Sequence, residues 1–220
     1  MALRKPAKNN KIKEDIYTTS KKAFYERGFL DVTLKEVAEQ LGIPASLITY
    51  YFKTRDNLVS CIFDDFLKSI RNRIESYANL NISSILFQQI LTSYIYYDIV
   101  LSDENNTRFF KEILLRKNDS YQYYSPASDE SCKAIAHEFG LTITQVEYEI
   151  FAQMQSSAKT AFFRHYFTND MGLDILQIVM FLEGSSARQI GIDGKVVNDY
   201  LMRTHAVIRD IDYSDLKFLV

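Results

Sequence analysis

Residues 33–56 constrain the fold more than any other part of the chain, because local chemistry alone fixes two short helices and the turn between them. Thr33 followed by Glu36 has the spacing of a capping box, in which the threonine oxygen takes the Glu36 amide and the carboxylate reaches back. Leu34, Val37, Ala38 and Leu41 then recur at the i, i+3, i+4, i+7 spacing of one apolar face, and Gly42 supplies a residue tolerant of the left-handed backbone that ends a helix. Pro44 suits the start of a second helix, whose apolar positions are Leu47, Ile48, Tyr51 and Phe52. Two helices that cross steeply need a small residue at the crossing, a permissive turn residue and an apolar lock. Ala38, Gly42 and Ile48 fill those roles. The pattern predicts a helix-turn-helix at about 33–52. Pro44, Ala45, Ser46, Leu47, Thr49 and Tyr50 would lie at the end and on the outer face of its second helix, the part that meets base edges and phosphates.

Charge supports a nucleic-acid partner. The net charge of −2 over 220 residues conceals +4 in residues 1–60 and −6 in the remainder. Arg4, Lys5, Lys8, Lys11 and Lys13 all precede the first acid, Glu14. Such a basic arm, placed at residues 1–9, neutralises phosphates without reading sequence or enters a minor groove; Lys5 and Lys8 are its candidate DNA contacts.

Seven glycines and three prolines leave few breakers, so helices should dominate. A first helix with Ile12, Ile16, Ala23 and Phe24 on one face ends at Gly28. A fourth helix, capped by Thr54, carries Leu58, Val59, Ile62, Phe63, Phe66, Ile70 and Ile74 to about Tyr77. Further helices are predicted at 82–101, 107–116, 129–139, 144–167, 173–191 and 196–208, with Asp103 to Asn106 as a break and 117–128 as a loop holding Tyr121, Tyr123, Tyr124 and Pro126. The fold class is all-α. A DNA-binding domain at 10–70 is joined through the long fourth helix to a second helical domain at 71–220.

Other chemistry is poorly served. His137, His165 and His205 are scattered, no Glu-x-x-His pair occurs, and Gly194-Lys195 is followed by Val196 where a phosphate loop needs Ser or Thr. No catalytic constellation, metal site or cofactor motif is expected. Cys61 and Cys132 lack metal spacing and read as free thiols. No apolar run of about 18 residues offers a membrane span and no signal peptide is apparent, so a cytoplasmic location is expected. Of thirty Tyr and Phe residues, 23 follow residue 60. They serve a dry helical core or line a cavity for a small, largely apolar or aromatic ligand. The candidate lining is Tyr94, Tyr97, Phe110, Phe151, Met154, Gln155 and Phe162.

Gly28-Phe29, Thr33, Val37-Ala38, Leu41-Gly42-Ile43 and the run Leu47-Ile48-Thr49-Tyr50-Tyr51-Phe52-Lys53-Thr54-Arg55-Asp56-Asn57-Leu58 together resemble the TetR family of bacterial transcriptional regulators. The resemblance covers roughly residues 10 to 60. It implies a homodimeric regulator, usually a repressor released from a palindromic operator by a small molecule, with Thr33, Tyr50 and Lys53 on phosphates and Tyr51 within the same binding unit. It also implies a dimer interface on the last two helices, for which Leu176, Val179, Met180, Glu183, Gly184, Ala187, Val197, Leu201 and Ile208 are candidates, with Gly184, Ser185 and Ser186 as a small-residue waist. One departure concerns readout: Ala45 and Leu47 stand where the family often has a basic or polar residue and a small residue or threonine. A ligand-independent nucleoid or partner-protein binder, and a helical enzyme or carrier, are the alternatives.

Overall fold

The computed structural model describes residues 5–77, 80, 82–116 and 129–220, with side chains described from Asn10 and, beyond the loop, from Ser131. Among the described residues the chain forms ten α-helices and no strand: α1 (Lys5–Arg27), α2 (Leu34–Leu41), α3 (Ala45–Phe52), α4 (Arg55–Ser76), α5 (Ile85–Leu101), α6 (Glu104–Leu114), α7 (Asp129–Glu138), α8 (Gln145–Thr168), α9 (Ile175–Gln189) and α10 (Gly194–Val207). A single 3-10 turn, Ile208–Asp210, follows α10.

The first three helices form as their local chemistry requires. Thr33 and Glu36 close both arms of the capping box, with Glu36 N to Thr33 Oγ1 at 3.2 Å and Thr33 N to Glu36 Oε2 at 2.8 Å. Gly42 sits at φ +63°, and the turn returns its amide to Glu39 O and that of Ile43 to Ala38 O. Pro44 is the residue just before α3, its extended backbone (φ −62°, ψ 136°) turning the chain into the helix. Ile16, Phe24, Val37, Ala38, Ile48 and Phe52 bury together beneath the pair, joined by Phe29 and Val32 from the intervening loop. Lys53 ends α3 at φ +61°, the one non-glycine residue among those described with positive φ. Thr54 then caps α4 by accepting the Asn57 amide at 3.1 Å.

The second domain is built around α5. Its Leu86, Phe87, Ile90, Leu91, Ile95, Tyr96, Tyr97 and Val100 are buried, and so are Gln89, Thr92 and Ser93, so most of this helix is enclosed. It packs against α4, α6, α7, α9 and α10, while α8 lies farther out against α6 and α9. After α10 the chain crosses back over α4. Arg73 grips Asp215 with both guanidinium nitrogens (2.7 and 2.8 Å) and Phe218, fully buried, enters a cage of Phe63, Phe66 and Phe109 at ring separations of 4.9, 5.0 and 5.8 Å.

Several expectations are corrected. Asp103 does not begin a break that lasts to Asn106. Its carboxylate accepts the Asn106 amide at 2.8 Å, and α6 starts at Glu104, so residues read as a breaker are an N-cap and a first turn. Asp193 caps α10 in the same manner, moving its start back to Gly194. The α1 backbone is helical from Lys5, which places residues 5–9 in a helix rather than an arm. Residues 1–4 and the loop expected to hold Tyr121, Tyr123, Tyr124 and Pro126 lie outside the described residues.

Candidate nucleic-acid interface

The outer surface of α3 carries the residues that the sequence assigned to DNA. Ala45, Ser46, Thr49, Tyr50 and Lys53 are exposed together with Pro44, Leu47 and Tyr51 are half-buried, and Ile48 and Phe52 turn inward. Tyr50 is 72% exposed, unusual for a large ring, and stands edge-on to Tyr51 at 5.1 Å. At that exposure most of the ring lies in solvent. Lys53 follows at the helix end, and Lys13 of α1 approaches the Phe52 ring at 5.8 Å. The side chains of Lys5 and Lys8 lie outside the described part of the structure.

Thr33 occupies a different chemical position. Its hydroxyl proton goes to Glu36 Oε2 at 2.9 Å, and its amide goes to the same oxygen. Both donors are engaged in the cap. Those bonds, with Arg27 at 3.2 Å, hold the Glu36 carboxyl down to about 2. Thr33 as placed fixes the entry angle of α2.

Behind the helix pair the two domains are locked by a polar and aromatic junction that sequence reasoning did not find. Arg55 donates to Phe29 O at 3.2 Å and Val32 O at 2.7 Å, with its guanidinium 3.9 Å over the Phe29 ring. Burial, then the neighbouring Arg116, lowers the Arg55 pKa, against the pull of Asp56. Arg116 pairs with Asp56 at 2.6 Å and also overlies Phe29, at 4.6 Å. From α6, Glu112 accepts the Leu30 amide at 2.9 Å and Arg108 donates to Tyr25 O at 2.8 Å. A cleft of about 400 Å³ opens at this junction, lined by Leu30, Arg108, Lys111, Glu112, Leu115 and Arg116. The only sequence signal was Gly28: its φ is +86°, and a Cβ there would stand 2.6 Å from Glu112 Oε2.

A family model for bacterial regulatory proteins of the tetR family matches residues 16–61, the segment running from α1 into α4. The match gives residues 16–61 the character of a tetR-type amino-terminal domain. No curated protein matches the chain. Among solved structures, RolR in complex with the ligand resorcinol superimposes with a TM-score of 0.60, over 90% of this chain and 96% of that one, at 13% identity. The two chains thus share a fold over both domains.

The candidate ligand residues of the second domain differ in burial. Tyr97 and Phe110 are fully buried and pack on Phe163 at 5.3 and 5.2 Å. Tyr94 and Phe151 are half-buried, and Phe162 stacks on Tyr166 at the surface of α8. Met154 is 53% exposed, and Gln155 bonds to Gln189 and Ser186 of α9. A second cleft of about 220 Å³, lined in part by Arg71, Ile74, Gln88, Gln89 and Thr92, contains none of them.

The candidate interface residues also divide. Val179, Glu183, Gly184, Ala187, Val197, Leu201 and Ile208 are buried within the protomer, Leu176 is half-buried, and Met180 is exposed. Glu183 pairs with Lys159 of α8 at 2.9 Å, both side chains almost fully enclosed. The open apolar surface lies one helix earlier. Val146, Ile150 and Met154 form an exposed stripe on α8, with Ala158 and Ala161 continuing it, and Met180 and Phe181 are exposed on α9.

Among the described residues no group of three metal-ligating side chains converges, and no helix is long and apolar enough to cross a membrane.

Proposed function

We propose that the chain acts as a homodimer that binds a palindromic operator through its two α2–α3 units and represses transcription until a small, largely apolar or aromatic molecule binds the second domain. The observation that carries the reading is the outer face of α3: a tetR-type second helix with Ala45, Ser46, Thr49 and Tyr50 open to a groove and Lys53 at its end. Tyr50 and Lys53 hold phosphates, while Pro44, Ala45, Ser46, Leu47 and Thr49 face the bases. The dimer forms through α8 and α9, because a soluble monomer rarely leaves a stripe such as Val146, Ile150, Met154 and Phe181 in water. Two-fold pairing then sets the spacing of the recognition helices at about one helical turn of DNA, ~34 Å, or a multiple of it.

A ligand acts by differential affinity for two states of the domain pair. RolR, which shares the fold, is known in complex with resorcinol, and that precedent supports the ligand class. The junction of Phe29, Arg55, Glu112 and Arg116 is the path by which a shift of α6 reaches the helix pair. A second reading keeps the operator and drops the ligand; the closed packing of Tyr97, Phe110 and Phe163 favours it.

Selection of bound sequences from a random duplex pool at physiological salt tests the central reading. An enriched palindrome is expected. Binding without enrichment that fades as salt rises refutes it.

A further inference from the structure

We infer that the operator half-site is read chiefly through thymine methyl groups, so that the DNA ligand is A·T-rich where α3 enters the major groove. The inference rests on the DNA-binding reading above and adds the base class.

Direct readout follows from which side chains reach the base edges. Guanine is read by Arg or Lys in a two-pronged contact, adenine by Asn or Gln, and cytosine by the carboxylates of Asp or Glu. Residues 44–52, Pro-Ala-Ser-Leu-Ile-Thr-Tyr-Tyr-Phe, contain none of these six residue types. What the helix does present is the Ala45 methyl, the Ser46 hydroxyl, part of Leu47 and Thr49. Thr49 is a branched side chain with a choice of which group to offer. Its hydroxyl leans back toward the Ala45 carbonyl at 3.5 Å, which turns the polar group to its own helix and leaves the methyl to meet a base. Ala and the Thr methyl are the partners that suit the C5-methyl of thymine, a group that no other base displays in the major groove.

Charge outside the helix does not alter this result. Lys35 of α2 pairs along its own helix with Glu39 at 3.8 Å, on the helix that crosses the backbone in this geometry. Lys53 sits past the end of α3, at the opposite end of the helix from Ala45 and Ser46. Apolar contacts of this kind discriminate weakly one at a time. Several thymines per half-site are therefore needed, and a narrow A·T-rich flank adds attraction for nearby lysines.

The test begins from the palindrome selected by the wild-type protein. Each thymine facing α3 is replaced in turn by deoxyuridine, which deletes the C5-methyl and keeps every hydrogen-bonding group. Affinity is measured by fluorescence anisotropy for the wild type and for Thr49→Val and Thr49→Ser, each checked for an unchanged melting curve. The expected loss is about fourfold per contacted methyl, the worth of one small apolar group buried from water. Val keeps the methyl and should retain the thymine preference. Ser removes it and should lose the preference at one base pair per half-site. An enriched palindrome with G·C pairs at the contacted positions, or one indifferent to deoxyuridine, overturns the inference while leaving DNA binding intact. Absence of any palindrome overturns both.

Discussion

Replacing Glu183 with Gln should be far more damaging than replacing any surface carboxylate of the chain. Lys159 and Glu183 meet at 2.9 Å across α8 and α9 with side chains 2% and 3% exposed. Each ion has given up its water, and the partner replaces it. Removing the Glu183 charge takes away the carboxylate that faces the enclosed Lys159 ammonium, a change worth about 3–5 kcal/mol in buried pairs. At about 2–4 °C per kcal/mol for a chain of this size, the melting temperature should fall by roughly 6–20 °C. The surface pair Lys22–Glu26, at 3.8 Å and more than half exposed on both sides, provides the control. There, Glu26→Gln should change stability by less than about 1 kcal/mol. The double substitution Lys159→Met with Glu183→Leu removes both charges and should recover most of the loss, since apolar packing replaces a desolvated pair at little or no net cost. Circular dichroism melts at one fixed protein concentration read all four proteins. A Glu183→Gln melt within 2 °C of wild type, or a double variant no better than the single one, would refute the argument that burial sets the value of this pair.

Other outcomes follow from the same geometry. Glu36 ionises at about 2 in the folded protein against 4.5 in the free side chain, so its capping contribution is complete above pH 4.5 and is lost as the pH falls through about 2. The stability gap between wild type and Glu36→Gln, read from urea midpoints, should therefore narrow over that window; a gap constant from pH 6 to pH 2 contradicts the assignment. Gly28→Ala forces an alanine to φ +86° and drives a Cβ into the Glu112 carboxylate, costing about 1–2 kcal/mol for the backbone alone. It should also speed hydrogen exchange at the Leu30 amide, and unchanged exchange there would show that the Glu112 bond is not what protects it. Tyr50→Ala should weaken operator affinity several-fold with an unaltered melting curve, because a ring 72% exposed contributes little to the core; equal affinity would remove Tyr50 from the phosphate contacts.

Legibility in the sequence tracked the range of the interaction. The α2–α3 pair could be read because a threonine, a glutamate three residues on, a left-handed glycine and a proline act within one or two turns of themselves. Asp103 was misread for the same local reason: two acids followed by two asparagines look like a loop, and only the position of the Asn106 amide makes Asp103 a cap. Faces of the outer helices were harder. Val146, Ile150 and Met154 share a stripe, but Tyr148, Phe151, Phe162 and Phe163 give α8 other apolar faces, and nothing local says which one meets its own core. The reverse error affected Val197 and Leu201, whose regular spacing suits an interface and an interior equally. The junction of Arg55, Arg116 and Glu112 on the Phe29 loop joins residues far apart in the chain, and no pattern within any one helix announces it.

Phe218 sets an order of events in the making of the molecule. The cage formed by Phe63, Phe66 and Phe109 belongs to helices that leave the ribosome early, at about 5–20 residues per second, yet its fourth ring is synthesised after every helix is complete. Until then α4 has an uncovered aromatic flank where it meets α6. A nascent chain can therefore fold its first three helices before the ring that completes this cage exists.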